Sequence, residues 1–340
     1  MYDSFYVVIE RMFFMIRFKV GILGAGHIAG KVADTLEKLD GVEAYAVASR
    51  DIEKAEAFGE KYNIFKRYGS YEELVNDSEV ELIYIATPNS LHAEHARLAL
   101  NAGKPVLVEK PFSYNAKTTE EILKLAKEKN LYAAEAMWIR SLPIYLRLIY
   151  NLKLGIIGDI HHVTCSLGYK VFDKERIKEP SLGGGALLDL CVYPINMLQM
   201  IYGTLPTSVI SECAKLPTNV DAQEALQLRF GQGQTASVFV TAMYKADNNA
   251  VIYGERGYVE LDNINCPTGF RVYNGDGQLI NDTKLPEKQI SGYEFEFLTA
   301  RDNIIIGKIE DPYQPQELLI NTMKFLDYLR DTWKIKFPME

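Results

Sequence analysis

Cysteine is scarce in this chain of 340 residues: four thiols, at Cys165, Cys191, Cys213 and Cys266, stand far apart. They form no CxxC or Cys/His cluster, so a zinc module is not expected, and their spacing is not that of a secreted disulfide framework. Buried free thiols are the plain reading. Long apolar runs are missing as well, none approaching the roughly 18 residues of a membrane span. There is no basic run either. With 37 Lys and Arg against 45 Asp and Glu the net charge is −8, so neither nucleic acid nor another polyanion is an expected partner. The first residues make a poor secretory leader, because Asp3 sits where positive charge belongs and Glu10 and Arg11 interrupt the apolar stretch. A cytoplasmic protein is the expectation, with residues 1–14 an extension ahead of the fold.

What is present is an ordinary globular composition, 48% hydrophobic and 24% charged. The length exceeds what one core usually serves, so two domains are expected. Apolar runs of strand length at 18–23, 42–48, 82–86, 105–109 and 132–136 alternate with helical segments at 27–39, 91–102 and 118–129. This alternation predicts βαβ units around a parallel sheet, a first domain over residues 15–136. From 137 to 340 the pattern changes. Leu226, Leu228 and Phe230 alternate with Gln227 and Arg229, the period of a sheet with one wetter face. Turns at 231–233 and 254–257 join further strands. The second domain is therefore α+β, a large, mostly antiparallel open sheet interrupted by one helix at about 184–201. Leu319, Met323, Leu326, Leu329 and Trp333 mark a closing amphipathic helix.

The sharpest local motif is Gly24-Ala25-Gly26-His27-Ile28-Ala29, G-x-G-x-x-A between the first strand and the first helix. A dinucleotide needs this arrangement: Gly24 for a tight turn, Gly26 for close approach of the pyrophosphate, and Ala29 for tight helix packing. The start of the helix, at His27 and Ile28, then faces the anion. An S-adenosylmethionine site or a purely structural turn are the competing readings. The second strand ends Ser49-Arg50, with no carboxylate at its tip to hold a ribose 2′-hydroxyl. Ser49 and Arg50, with Lys54 one turn on, suit a 2′-phosphate, so NADP is favoured over NAD. A solvated surface arginine is the alternative.

Thr87-Pro88-Asn89 and Glu109-Lys110-Pro111 each follow a buried strand, where an open parallel sheet lines its ligand crevice. Lys110 is either a surface cation or a catalytic group. Downstream, Gly183-Gly184-Gly185 opens the apolar helix, and Asp189 and Tyr193 four residues apart share one face of it. A capped core helix is an equally good reading of that segment alone. Trp138 and Arg140 are candidates for the substrate pocket, with interdomain packing as the alternative. No metal site is expected: His92 and His95 lack a third ligand, and His161 and His162 point to opposite faces of a strand.

Taken together, the 24–29 loop, Ser49-Arg50, Ala86-Thr87-Pro88-Asn89, Glu109-Lys110-Pro111 and the 183–193 helix resemble the glucose–fructose oxidoreductase/inositol dehydrogenase (Gfo/Idh/MocA) family. So does the closing stretch through Trp333 to Phe337-Pro338. The resemblance implies an N-terminal Rossmann fold and a C-terminal sheet whose outer face makes homodimers or tetramers. Many members carry histidine where this chain has Tyr193. That departure, with Glu135-Ala136-Met137-Trp138, resembles the branch of dimeric dihydrodiol and NADP-dependent D-xylose dehydrogenases. The implied reaction is hydride transfer between a sugar, polyol or cyclic diol hydroxyl and NADP or NAD. Tyr193 would be the general acid/base. Lys110 would lower its pKa and hold the substrate oxygen, and Asp189 would orient the lysine or bind a neighbouring hydroxyl. The reverse assignment, with Lys110 carrying the proton, stays open. Relatives of this kind also include nicotinamide-dependent glycoside hydrolases, cofactor-binding regulators and a linear-tetrapyrrole reductase.

Overall fold

The computed structural model describes residues 17–231, 233–285 and 288–340, and the chain divides into two compact units. The expected extension at residues 1–14 lies outside the described residues. The first unit comprises the chain up to Phe112, Glu120–Ala136 and Ile290–Gln316. It holds β1 (Phe18–Leu23), β2 (Val42–Ala48), β3 (Lys66–Tyr68), β4 (Leu82–Ile85), β5 (Val106–Glu109) and β6 (Ala133–Ala136). All are parallel, in the order β3-β2-β1-β4-β5-β6. This is the Rossmann order, and its reversal between β1 and β4 opens a ligand crevice at the carboxyl ends of the strands. β4, β5 and β6 are buried along their whole length, as their continuous apolar runs require when helices cover both faces. β3, Lys-Arg-Tyr and only half-buried, carries no such run and leaves no apolar signal in the sequence.

Residues 137–340 do not form one block. The chain passes to the second unit after Ala136 and returns to the first over Ile290–Gln316. There the helix Glu294–Ile305 adds Phe297 and Ala300 to a core that includes Val20, Ile22, Leu36 and Tyr84. The Tyr84 and Phe297 rings meet edge to face at 5.2 Å.

The second unit comprises Ser113–Thr119, Met137–Gln289 and Glu317–Glu340. Its strands are β7 (Ile160–Gly168), β8 (Ser208–Lys215), β9 (Asp221–Arg229), β10 (Thr235–Thr241), β11 (Ala250–Gly254), β12 (Gly257–Leu261), β13 (Gly269–Asn274) and β14 (Leu279–Lys284). They pair in the order β14-β13-β12-β11-β7-β10-β9-β8. Only β7 and β10 run parallel. Along β9, Leu226 and Leu228 are buried while Ala225, Gln227 and Arg229 are exposed, the expected alternation. The 254–257 turn joins β11 to β12; residue 232 of the other expected turn lies outside the described residues.

The helix expected at 184–201 differs from a plain α-helix. Leu187–Cys191 is a π turn, and the α-helix proper is Val192–Tyr202. Asp189 and Tyr193 are therefore not related by a simple α-helical i, i+4 step. The closing helix, Gln316–Thr332, buries Leu319, Met323, Leu326 and Leu329, and Trp333 just beyond it donates from Nε1 to Ser211 Oγ on β8 at 3.1 Å. The run Pro180–Tyr202 is long and apolar enough to cross a membrane by composition, but 83% of its apolar window is buried inside the protein, as suits a core helix. Cys165 and Cys191 are buried, Cys213 is half-buried and Cys266 is exposed, so the buried-thiol reading fails for Cys266. Burial pushes the Cys165 thiol up to about 12, which leaves it inert as a thiolate.

Candidate cofactor and catalytic site

The phosphate loop follows β1 directly. Gly24 has φ +110°, and a Cβ there would stand 3.0 Å from the Ala86 carbonyl oxygen. Both facts make it a glycine of the fold itself. Gly26 is different. Its backbone is extended, at φ −95° and ψ −172°, and an added Cβ would meet nothing nearer than Ala86 O at 3.9 Å. The fold does not need glycine at 26, so the constraint is on what approaches from outside. Gly26 caps the helix His27–Glu37, which has no side-chain cap and no acidic residue in its first turn. That helix start suits an anion. His27 is exposed, Ile28 half-buried and Ala29 fully buried against the sheet. These residues fit a dinucleotide pyrophosphate.

At the tip of β2, Ser49 is buried and Arg50 exposed. Asp51, the nearest carboxylate, caps the next helix, accepting from Glu53 N at 3.0 Å and Lys54 N at 3.4 Å. Its Oδ1 is thereby taken up by the backbone of that helix. The Lys54 side chain is exposed one turn into that helix. A cavity of about 710 Å³ opens beside Arg50, lined also by Ser70, Tyr71, Leu91, His95 and Arg97. His95 is held neutral by burial and by the Arg50 charge, its pKa down to about 4.

At the carboxyl ends of β4 and β5, two loops are tied together by one side chain. The buried His92 places Nε2 2.8 Å from Thr87 O and Nδ1 2.8 Å from Pro111 O. Burial lowers its pKa to about 4, against the pull of these two carbonyls. Nothing in the sequence around His92 signals this bridge, whose partners lie 5 and 19 residues away. Thr87 Oγ1 pairs with His95 Nδ1 at 2.9 Å. Pro88 is exposed and Asn89, half-buried, begins a short 3₁₀ turn.

Lys110 is half-buried, and two carboxylates hold the backbone at Lys110 and just beyond it. Glu109 accepts from Lys110 N at 3.2 Å and from the Tyr84 hydroxyl. Glu135 on β6 accepts from Phe112 N at 2.8 Å and from Gln314 Nε2 at 2.8 Å. The sequence motif marked Glu109 and Lys110; the supports Tyr84 and Glu135 are contributed by neighbouring strands.

Behind Glu109 lies Glu296, fully buried, with neither carboxyl oxygen hydrogen-bonded. Burial and the charges of Glu109, Asp311 and Glu294 push its pKa well above the ordinary carboxylate range. The folded chain thus keeps a proton that the unfolded chain releases, and this group's contribution to stability is present in acid and is lost as pH rises. Glu296→Gln is expected to raise the melting temperature by about 2–4 °C at about pH 8 and to leave it nearly unchanged at about pH 4. Equal shifts at both pH values in a thermal melt would show Glu296 to be ionised in the folded chain.

In the second unit, Asp189 is half-buried and pairs with Arg176 at 2.5 Å, a partner that sequence reading did not identify. Tyr193 is buried in the first turn of the helix Val192–Tyr202. Trp138 and Arg140 are buried in the 3₁₀ turn Trp138–Arg140. Arg140 donates from Nε to Asn196 Oδ1 at 2.6 Å and from Nη2 to Gln199 Oε1, fastening that turn to the helix of Tyr193. Among the described residues no group of three or more His, Cys, Asp or Glu is arranged to hold a metal ion.

Comparison with known proteins agrees with this architecture. Residues 18–136 match the oxidoreductase family with an NAD-binding Rossmann fold, and residues 148–260 match the GFO/IDH/MocA C-terminal domain. Trans-1,2-dihydrobenzene-1,2-diol dehydrogenase of Mus musculus is 35% identical over 259 residues, 75% of this chain and 78% of the relative. The Bos taurus enzyme of the same name is 31% identical over 332 residues, 94% and 98% of the two chains. Among solved structures, an aldose-aldose oxidoreductase from Caulobacter crescentus complexed with glycerol superposes with a TM-score of 0.85 at 21% identity, covering 94% of this chain and 98% of that one. A 3-ketoreductase from Actinomadura kijaniata in complex with NADP gives 0.81 at 24% identity, covering 93% and 97%. The chain belongs to the Gfo/Idh/MocA family of NAD(P)-dependent oxidoreductases.

Proposed function

We propose that this protein is an NADP-preferring dehydrogenase that reversibly oxidises a hydroxyl of a sugar, polyol or cyclic diol. The observation that carries the cofactor preference is the use of Asp51 as a helix cap beside an exposed Arg50. When bound, the nicotinamide supplies the hydride acceptor. The protein must then hold the dinucleotide, orient the hydroxyl and remove its proton. Gly24, Gly26 and the start of the helix at His27, Ile28 and Ala29 hold the pyrophosphate. Ser49, Arg50 and Lys54 hold the 2′-phosphate, and Thr87, Pro88, Asn89, Glu109 and Lys110 border the rest of the cofactor.

Tyr193 is assigned as the proton carrier. A phenol is a poor base at neutral pH, with an ordinary pKa near 10, and an ammonium group favours its ionised form. Lys110 is assigned that task together with holding the substrate oxygen, and Asp189 that of orienting it. Trp138 and Arg140 are assigned to the substrate pocket. The dihydrodiol dehydrogenase relatives support a cyclic diol or sugar as substrate. Self-association in the cytoplasm through the second sheet is part of the same reading. Its outer face carries the exposed Ile210 and Tyr253 and a row of rings in which Tyr258 stacks on Tyr273 at 4.7 Å.

The cofactor assignment is tested by calorimetry on Arg50→Ala. NADP affinity is expected to fall about tenfold or more, the loss of a charge-assisted phosphate contact, with NAD affinity unchanged. Equal loss for both cofactors would remove Arg50 from the 2′-phosphate site.

A further inference from the structure

Two of the three glycines ahead of the π turn have a physical explanation in the second unit. A Cβ at Gly184 would stand 2.4 Å from Ile177 O. Gly185 has φ +113°, and a Cβ there would stand 2.4 Å from Asp221 Oδ1. The backbone is therefore pressed against a carboxylate from the first residue of β9. That carboxylate is 1% exposed, and its Oδ2 accepts the Leu187 N–H at 2.5 Å. Leu187 is the first residue of the π turn, a segment whose opening N–H groups have no carbonyl one turn back. Asp221 acts as the cap that this helix lacks from its own sequence, arriving from 34 residues away.

Three residues along the same strand is Glu224, also 1% exposed and with no hydrogen-bond partner at either carboxyl oxygen. Burial, followed by the Asp221 charge, pushes its pKa well above the ordinary range. The other titratable groups that face it are thiols, Cys213 on β8 and Cys191 in the π turn. Held neutral in this way, the buried group needs no countercharge.

We propose that Asp221 is a positioning residue for the turn that carries Asp189 and leads into Tyr193. The Asp221 carboxylate, set against Gly185 and the Leu187 N–H, fixes where the turn begins. π turns interrupt helices mostly where a function fixes the local geometry. A small error in placing a reacting group is enough to cost about 10²-fold in rate. The catalytic consequence rests on the assignment of Tyr193 and Asp189 made above.

The test measures hydrogen exchange of residues 186–193, NADP affinity and turnover in the full chain. Asp221→Ala is expected to speed exchange in that segment about tenfold and to lower kcat about 10²-fold, with the KM and Kd for NADP unchanged. Asp221→Asn, whose amide oxygen still accepts the Leu187 N–H, is expected to recover most of the loss. Unchanged exchange in Asp221→Ala overturns the positioning role. So does faster exchange over the whole chain with matching loss of NADP binding, the mark of general destabilisation. Faster segment exchange with normal turnover upholds the support of the turn and overturns instead the assignment of catalysis to Tyr193 and Asp189.

Discussion

Gly26→Val is expected to fold with a melting temperature near that of the natural chain and to lose NADP and NAD affinity together by about 100-fold. The two halves of that expectation come from different features of one residue. Its backbone is extended and its surroundings open, with 3.9 Å to the nearest protein atom that a Cβ would meet. Valine is at ease in extended backbone. A side chain at 26 would, however, stand over the uncapped helix start, where the pyrophosphate has to reach backbone N–H groups. Gly24→Val is the control, since its φ of +110° and the Ala86 carbonyl at 3.0 Å penalise any side chain there. That variant is expected to be destabilised as well as unable to bind. Calorimetric titration with thermal melts separates the two. A Gly26→Val protein that binds either cofactor normally would remove the loop from the binding site.

Tyr193→Phe is expected to lower kcat by about 10³-fold, within the range that a positioned proton carrier contributes, while NADP affinity stays unchanged. The ring is buried, and Phe keeps its volume, so loss of the hydroxyl does not open a cavity. Lys110→Met serves as the partner experiment. If Tyr193 carries the proton, the pH–rate profile of Lys110→Met keeps its dependence on a basic group but shifts it to higher pH, because a favourable charge is gone. If Lys110 carries it, that limb disappears. Near-normal turnover in Tyr193→Phe excludes the tyrosine assignment outright.

The first unit was largely legible because its signals are local. A continuous apolar run makes a strand covered on both faces, and G-x-G-x-x-A places a helix start over the crevice. The short β3, Lys-Arg-Tyr, has no such run. The supports around Lys110 were out of reach for another reason. Tyr84 and Glu135 meet the Glu109–Phe112 segment only because parallel strands bring them together, and Gln314 reaches Glu135 in turn from beyond the helix Glu294–Ile305; nothing around Tyr84 or Gln314 marks them. The same holds for the π turn. The glycine run was visible, but the carboxylate that it makes room for lies on another strand. Asp51 shows the opposite case: the absence of a carboxylate at the tip of β2 could be read from the sequence, and the structure adds what the next one along does instead. The return of Ile290–Gln316 to the first unit had no local signature either, since Phe297 and Ala300 are ordinary residues of any buried helix face.

Hydride transfer between a hydroxyl and NADP is read out by the absorbance of the reduced nicotinamide. The purified chain is mixed with NADP or NAD and a panel of cyclic diols, aldoses and inositols, with aryl glycosides alongside. Growth of the reduced-cofactor signal with at least one diol or sugar, faster with NADP than with NAD, is the expected result. No signal from any hydroxyl compound would contradict the account, and release of sugar from an aryl glycoside without net reduction would replace it with a hydrolase.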